Sequence, residues 1–373
     1  MKLTFVILFV LAAIALSGCL DGETANNSSE LPPDYNTSIV ETNQPVTSNQ
    51  QPSTNDSEDA IKQTKACIVE NKEFTSEIDY RQEMRSFVIN IAACSRTQNP
   101  NFIVIPQNGQ ELLTENGEAD GNPAEAYIDA IDGVGREDLF YGYEDDNKPT
   151  PKDENEYMIG FLDVARNNDV AVLVTDYCSN HNYMDKSYSE NNNKGSISFA
   201  ADHRELDNIP DYPQQPYNSN ELDVVALNDA QNFLYLINPG EFSSKNDFFD
   251  SIRETDYDII ILDAFYDDSP LTSEEVESLK TKNNGGKRLV IAYMSIGEAE
   301  DYRHYWQDSW NNNAPSWIEE ENPYWEGNYK VRYWESGWQE IIYSCDEAYL
   351  QLILDSGYDG VYLDIIDAFE YFE

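Results

Sequence analysis

Cationic side chains are scarce in this chain of 373 residues. Lys and Arg number 23 against 70 Asp and Glu, and with three neutral histidines the formal net charge is -47 at pH 7. A surface this acidic is repelled by phosphate backbones and anionic headgroups, so nucleic acid is excluded as a partner. We read the acid as surface solvation, with a patch selecting a cationic ligand as the weaker alternative. Cysteine is scarce as well: five residues, with no CxxC and no Cys/His cluster, which argues against a zinc site. His181, His203 and His304 lie far apart in sequence. No GxGxxG follows a strand, so a dinucleotide fold has no support and no cofactor is expected.

Long apolar runs are missing after the first one. Met1-Lys2 precedes an apolar stretch from Leu3 to Leu16, which ends in Leu16-Ser17-Gly18-Cys19. The stretch is too short for a comfortable membrane span and reads as an export signal. Its ending resembles a lipoprotein signal, in which Cys19 becomes the lipidated N-terminus. The expected location is therefore the extracellular face of the cell membrane, or secretion if no lipid is attached. Residues 20–60 are Ser, Thr, Asn, Gln, Pro and acid; they cannot bury enough to fold and read as a tether. Asn26, Asn27, Asn36 and Asn55 each open an Asn-x-Ser/Thr sequon there. Outside the cytoplasm disulfides are permitted, and Cys67, Cys94, Cys178 and Cys345 leave all complete pairings open.

The folded part is expected from residue 61. Tyr80, Met84, Phe87, Val88 and Ile91 recur at helical spacing, which predicts a helix over 80–96. Apolar runs predict strands at 101–106, 131–141, 170–177, 233–238, 258–263, 288–294, 329–333 and 360–364. Helical patterns fall between most of them, at 124–129, 157–165, 248–252, 272–285 and 341–357. Residues 178–225 read as polar and loop-rich, with 196–201 a small apolar island. Strands alternating with helices argue α/β with parallel strands, and about eight such units argue a (β/α)8 TIM barrel. An ordinary barrel opens on a strand and closes on a helix, whereas this chain opens on a helix and closes on a strand. A barrel is cyclic, so its order can be cut elsewhere if the ends meet.

Three segments make the order informative: Tyr293-Met294-Ser295-Ile296-Gly297-Glu298-Ala299-Glu300-Asp301-Tyr302-Arg303, Asn322-Pro323-Tyr324-Trp325 with Gly327-Asn328-Tyr329, and Gly360-Val361-Tyr362-Leu363-Asp364-Ile365-Ile366-Asp367. They resemble motifs of glycoside hydrolase family 114, the extracellular endo-α-1,4-polygalactosaminidase-like barrels. In that family such motifs are followed by ones like Ile105-Pro106-Gln107-Asn108-Gly109, Gly135-Arg136-Glu137-Asp138-Leu139-Phe140-Tyr141 and Val174-Thr175-Asp176-Tyr177, which here come first. The resemblance implies a circularly permuted TIM barrel over 61–373: the family's C-terminal half at 61–209, a Pro-containing joint at 210–230, and its N-terminal half at 231–373. It also implies an acidic pair, carried by motif to Asp364 and Glu137.

Glycoside hydrolysis needs two carboxyl groups flanking the glycosidic oxygen, one of them holding a proton near neutral pH. Acids at the predicted strand ends are Asp263, Glu298, Glu300, Asp301, Asp364, Asp367, Glu137 and Asp176. Beside the catalytic pair Asp364 and Glu137, substrate-binding roles are expected for Asp263, Glu300, Arg303, Asp367, Asn108, Asp176 and Tyr293. The bland alternatives are a Glu137–Arg136 ion pair, a Glu300–Arg303 helix pair, and Asn108 as a turn residue beside Gly109. Tyr141, Tyr177, Tyr293 and Trp325 are candidates for stacking on sugar faces. The expected partner is a polysaccharide, amino-sugar polymers among the candidates. A sugar-binding envelope lipoprotein on the same scaffold is the other reading.

Overall fold

The computed structural model describes residues 78–344 and 347–373. The export signal with Cys19, the tether, its sequons, Cys67 and Cys345 lie outside the described residues. Helix α1 (Tyr80–Gln98) begins at Asp79, whose side chain accepts from the Gln82 N–H and satisfies one of the helix's free donors. Its buried residues Met84, Phe87, Val88 and Ile91 form the face that the spacing predicts. Burying such a side chain contributes on the order of 1.5–3 kcal/mol.

Strand β1 (Ile103–Pro106) follows, then α2 (Glu125–Ile128), β2 (Gly133–Glu137), α3 (Lys152–Asn167), β3 (Ala171–Tyr177), α4 (His181–Lys194) and β4 (Ile197–Ala201). After the Pro-rich joint come β5 (Phe233–Leu236), α5 (Lys245–Arg253), β6 (Ile259–Asp263), a small hairpin of β7 (Phe265–Tyr266) and β8 (Ser269–Pro270), α6 (Ser273–Leu279) and β9 (Leu289–Ser295). A lobe of β10 (Glu298–Glu300), β11 (Ile318–Glu321) and β12 (Asn328–Val331) leads to α7 (Ser336–Gln339), α8 (Tyr349–Asp355), β13 (Gly360–Asp364) and α9 (Phe369–Phe372).

The architecture is α/β with parallel sheets. One sheet runs β1-β13-β9-β6-β5 and another β2-β3-β4, and every pairing within them is parallel. Single parallel bridges, Gln107 to Gly135 and Ser198 to Asn232, link the two sheets at both edges. The eight strands therefore point their C-terminal ends the same way. Strand interiors are near-continuous apolar runs (Ile259, Ile260, Ile261 and Leu262 are all buried), as expected of strands covered on both faces.

The strand count is right, but one member is different. Residues 329–333 are not a strand of the parallel array: β12 pairs antiparallel with β10 and β11 in the lobe that follows β9. The missing member is β4, inside the stretch read as loop. Helix α4 escapes notice because its sequence, HNYMDKSYSENNNK, buries only Met184, Ser187, Tyr188 and Asn191. The expected helix over 341–357 is also broken: a π turn at Glu340–Ser344 precedes α8.

Helix α1 meets the other end of the chain. Arg81 pairs with Glu373 at 2.9 Å, Tyr80 stacks on Phe372, and Phe87 packs on Tyr343. The helix thus lies against the elements before and after β13, and against β1. Among the described residues no helix is long and apolar enough to cross a membrane.

Candidate active site

Three neighbouring strands, β13, β1 and β2, end in the same unusual way. Just past their ends Ile365, Asn108 and Asp138 all take left-handed backbone, with φ of 60°, 61° and 59°. For a β-branched residue such as Ile365 that conformation is a genuine outlier, and strain of this kind collects at functional sites. At Ile365 it has a visible result: the Ile365 N–H turns back and donates to Asp364 Oδ1 at 2.8 Å. Gly297 leaves room for this bend, since a Cβ there would stand 2.0 Å from the Ile365 carbonyl oxygen.

Asp364 ends β13 and is half-buried in a densely packed recess. Its Oδ2 accepts from the Tyr293 hydroxyl at 2.6 Å. Burial, then the charge of Glu137, pushes its carboxyl up to about 7, against the donors Tyr293 and Ile365. Glu137 ends β2. Its Oε2 accepts from Asn108 Nδ2 at 2.9 Å and its Oε1 from the Tyr177 hydroxyl, so both oxygens are occupied by donors. The two acids feel one another across the end of β1, and the buried hydroxyls of Tyr235 and Tyr362 are raised first by burial and then by charges that include both acids. Gly135 makes this packing feasible, because a Cβ there would fall 2.0 Å from the Tyr362 hydroxyl.

Arg136 does not pair with Glu137. Its Nε donates to the Glu137 backbone carbonyl at 2.9 Å and its Nη1 to Gln110 at 3.0 Å. Asn108 takes the turn conformation beside Gly109, and its side chain holds Glu137. Tyr293 likewise holds Asp364. Asp367, on the turn after β13, has its carboxyl pushed up to about 7 by burial and by Glu370, with Arg136 opposing. It adds to the raised affinity of Asp364 for its proton.

Asp263, Glu300 and Arg303 form a second cluster. Arg303 grips Asp263 with two bonds of 2.8 Å, and its Nε donates to Glu300 at 2.6 Å. Glu300 also accepts from the Tyr302 hydroxyl at 2.6 Å. Burial opposes the Arg303 charge, but Tyr349, Glu300 and Asp263 more than offset it. The cluster adjoins the acid pair: Tyr293, between them, is raised by burial and then by Asp364 and Glu300. A hollow of about 440 Å³ lined by Phe265, Asp267, Asp268, Tyr302, Arg303 and His304 opens beside it.

Asp176 does not join the site. It is 0% exposed and accepts from the Phe140 and Tyr141 N–H groups, Ser187 Oγ and Asn191 Nδ2. It fastens the β2 loop to α4, a role its place in β3 does not reveal. Tyr141 and Tyr177 are buried too, whereas Trp325 and Tyr302 are each 58% exposed. Residues that the sequence reading did not single out are Asp138, Arg204 and Tyr362. The doublet Glu137-Asp138 was the available signal for the first. Among the described residues no group of three His, Cys, Asp or Glu is arranged to hold a metal ion.

Residues 229–372 match the model of Glycoside-hydrolase family GH114. Three uncharacterized proteins are similar. One from Methanocaldococcus jannaschii is 44% identical over 133 residues, 35% of this chain and 36% of its own length. Those of Thermotoga maritima and Deinococcus radiodurans are 42% and 38% identical over 120 and 121 residues, in each case 32% of this chain and 36% of the relative. The chain thus spans about a third of the length of the curated relatives it matches.

Proposed function

Because residues 229–372 belong to glycoside hydrolase family 114, we propose that this chain is a glycosidase acting on a polysaccharide, with Asp364 and Glu137 as its reacting pair. The carrying observation is the pair itself: two carboxyl groups at the ends of β13 and β2, each held by hydrogen-bond donors, with that of Asp364 raised by burial and by the charge of Glu137. Asp364, raised by burial and by Glu137, holds a proton near neutrality and delivers it to the departing glycosidic oxygen. Glu137, whose two oxygens both accept hydrogen bonds, supplies the negative charge that attacks or activates water. Asp263, Glu300 and Arg303, with the exposed Tyr302, border the place where sugar units would lie.

Asp364→Asn and Glu137→Gln should each lower turnover by about 10²-fold or more while binding persists. Reducing-end release from a panel of polysaccharides, galactosaminogalactan included, measures this. Full activity in either variant would overturn the assignment, and binding without release by the wild type would favour a sugar-binding lipoprotein.

The bridges at both sheet edges support one closed (β/α)8 ring, and the Arg81–Glu373 contact supports a cyclic order cut after β13. The Leu16-Ser17-Gly18-Cys19 ending supports a lipid anchor and an extracellular site of action. Cys19→Ala should move the protein from the membrane to the soluble fraction.

A further inference from the structure

We infer that Arg204, on the loop after β4, is a positioning residue for Glu137: its guanidinium pins both the Tyr177 ring and the neighbouring Asp138 carboxylate. The inference rests on the glycosidase reading for its kinetic test, but its geometry stands alone. Arg204 Nη2 donates to Asp138 Oδ1 at 2.7 Å, and Nη1 reaches Oδ2 at 3.4 Å. Nε donates to Asp146 at 2.7 Å, and Nη2 also reaches the Gly142 carbonyl. The guanidinium lies 4.2 Å from the centre of the Tyr177 ring. That ring ends in the hydroxyl that donates to Glu137 Oε1. One planar cation thus fixes the two neighbours of Glu137, one in sequence and one in space, and lysine cannot copy a grip that is forked and stacked at once.

The left-handed backbone at Asp138 fits this role. It turns the Asp138 side chain away from the strand, toward Arg204 and the Gly142 turn, where a Cβ on Gly142 would stand 2.1 Å from Asp138 Oδ1. The groups that bear on the Asp138 charge are Arg204 on the β4 loop, Glu137 and Arg136 on β2, and Tyr177 on β3. Without Arg204, two carboxylates adjacent in sequence would face a buried phenol with no cation between them. Asp138 would then keep its proton to higher pH, and the Tyr177 ring would lose its cover.

The test compares Arg204→Met, Arg204→Lys and Asp146→Asn in the full chain. Arg204→Met should lower kcat by about tenfold or more, leave KM within about twofold, and move the acidic limb of kcat/KM upward in pH. Arg204→Lys should restore only part of kcat. Asp146→Asn removes the charge of the loop tether at Nε but leaves the fork and the stacking, so its pH profile should match the wild type. Equal effects in Asp146→Asn and Arg204→Met, or an unmoved pH limb in the latter, would overturn the inference by reducing Arg204 to a loop clamp. Carboxyl ¹³C titration of Asp138, assigned with Asp138→Asn, gives a second readout that needs no turnover. A raised midpoint in Arg204→Met supports the inference and an unchanged one overturns it. If the wild type released no sugar, that would count against the glycosidase reading, and this titration would still decide the role of Arg204.

Discussion

Two hydroxyl groups, those of Tyr293 and Tyr177, decide how the acid pair is presented. Each phenol is raised by burial and remains a donor, aimed at a carboxylate it cannot protonate by itself. Tyr293→Phe would remove a bond that favours the ionised form of Asp364, so this carboxyl should hold its proton to still higher pH. If Asp364 is the acid of the proposed glycosidase, the alkaline limb of kcat, which follows loss of that proton, should move upward from that of the wild type. A pH–rate profile of the variant checks this, and a limb moving down would refute the donor's role. Gly135→Ala is a packing test at the same site: with a Cβ forced against the Tyr362 hydroxyl, it should cost about 1–3 kcal/mol of stability, read by denaturant unfolding.

At the scale of elements, the strands are tied at their opposite ends by a different device. Lys282 and Asp258 form a 2.9 Å ion pair with both side chains at 0% exposure. Lys282 also donates to the Asn220 and Leu222 carbonyls, and Asp258 accepts from the Gln231 N–H. The pair joins the joint after β4 to the start of β6. Removing one partner strands a buried charge, so Lys282→Met should lose about 3–5 kcal/mol, and Lys282→Met with Asp258→Asn markedly less than the sum. Chemical denaturation of both variants measures the difference. Elements of this kind show why the sequence was legible in part. β6, β9 and β13 are apolar runs ending in Asp or Ser, and periodicity alone finds them. β4 is Ile197-Ser198-Phe199-Ala200-Ala201, with Ile197 and Phe199 its large apolar side chains, and it does not stand out after a helix that is polar around most of its circumference. β12 alternates as Asn328, Tyr329, Lys330 and Val331, which reads as a strand, and its partners, β10 and β11, assign it to the lobe. The strand-end positions of Asp364 and Glu137 were legible through motif order and the apolar runs before them. The buried duty of Asp176 and the grip of Arg204 were not, because both depend on contacts between distant segments.

For the whole molecule, the recess of raised carboxyls links stability to pH. Asp364 and Asp367 move from an ordinary 3.8 to about 7 on folding. The folded state therefore binds protons that the unfolded chain has released. Their contribution is fully present below the ordinary value and is lost as pH rises through the window from 3.8 to about 7. Asp364→Asn should flatten that decline, so the variant should melt higher than the wild type on the alkaline side of the window and gain less on the acid side. Thermal melting across the window decides it, and parallel curves for the two proteins would contradict it.

Strand β13 is hydrogen-bonded on both sides, to β1 and to β9, and it carries Asp364. In chain order it follows both of these partners. Until it is made, β1 and β9 each keep an apolar edge unpaired, and the growing chain is prone to associate with itself. A chain stopped before Gly360 should accordingly be recovered as aggregate rather than as soluble folded protein.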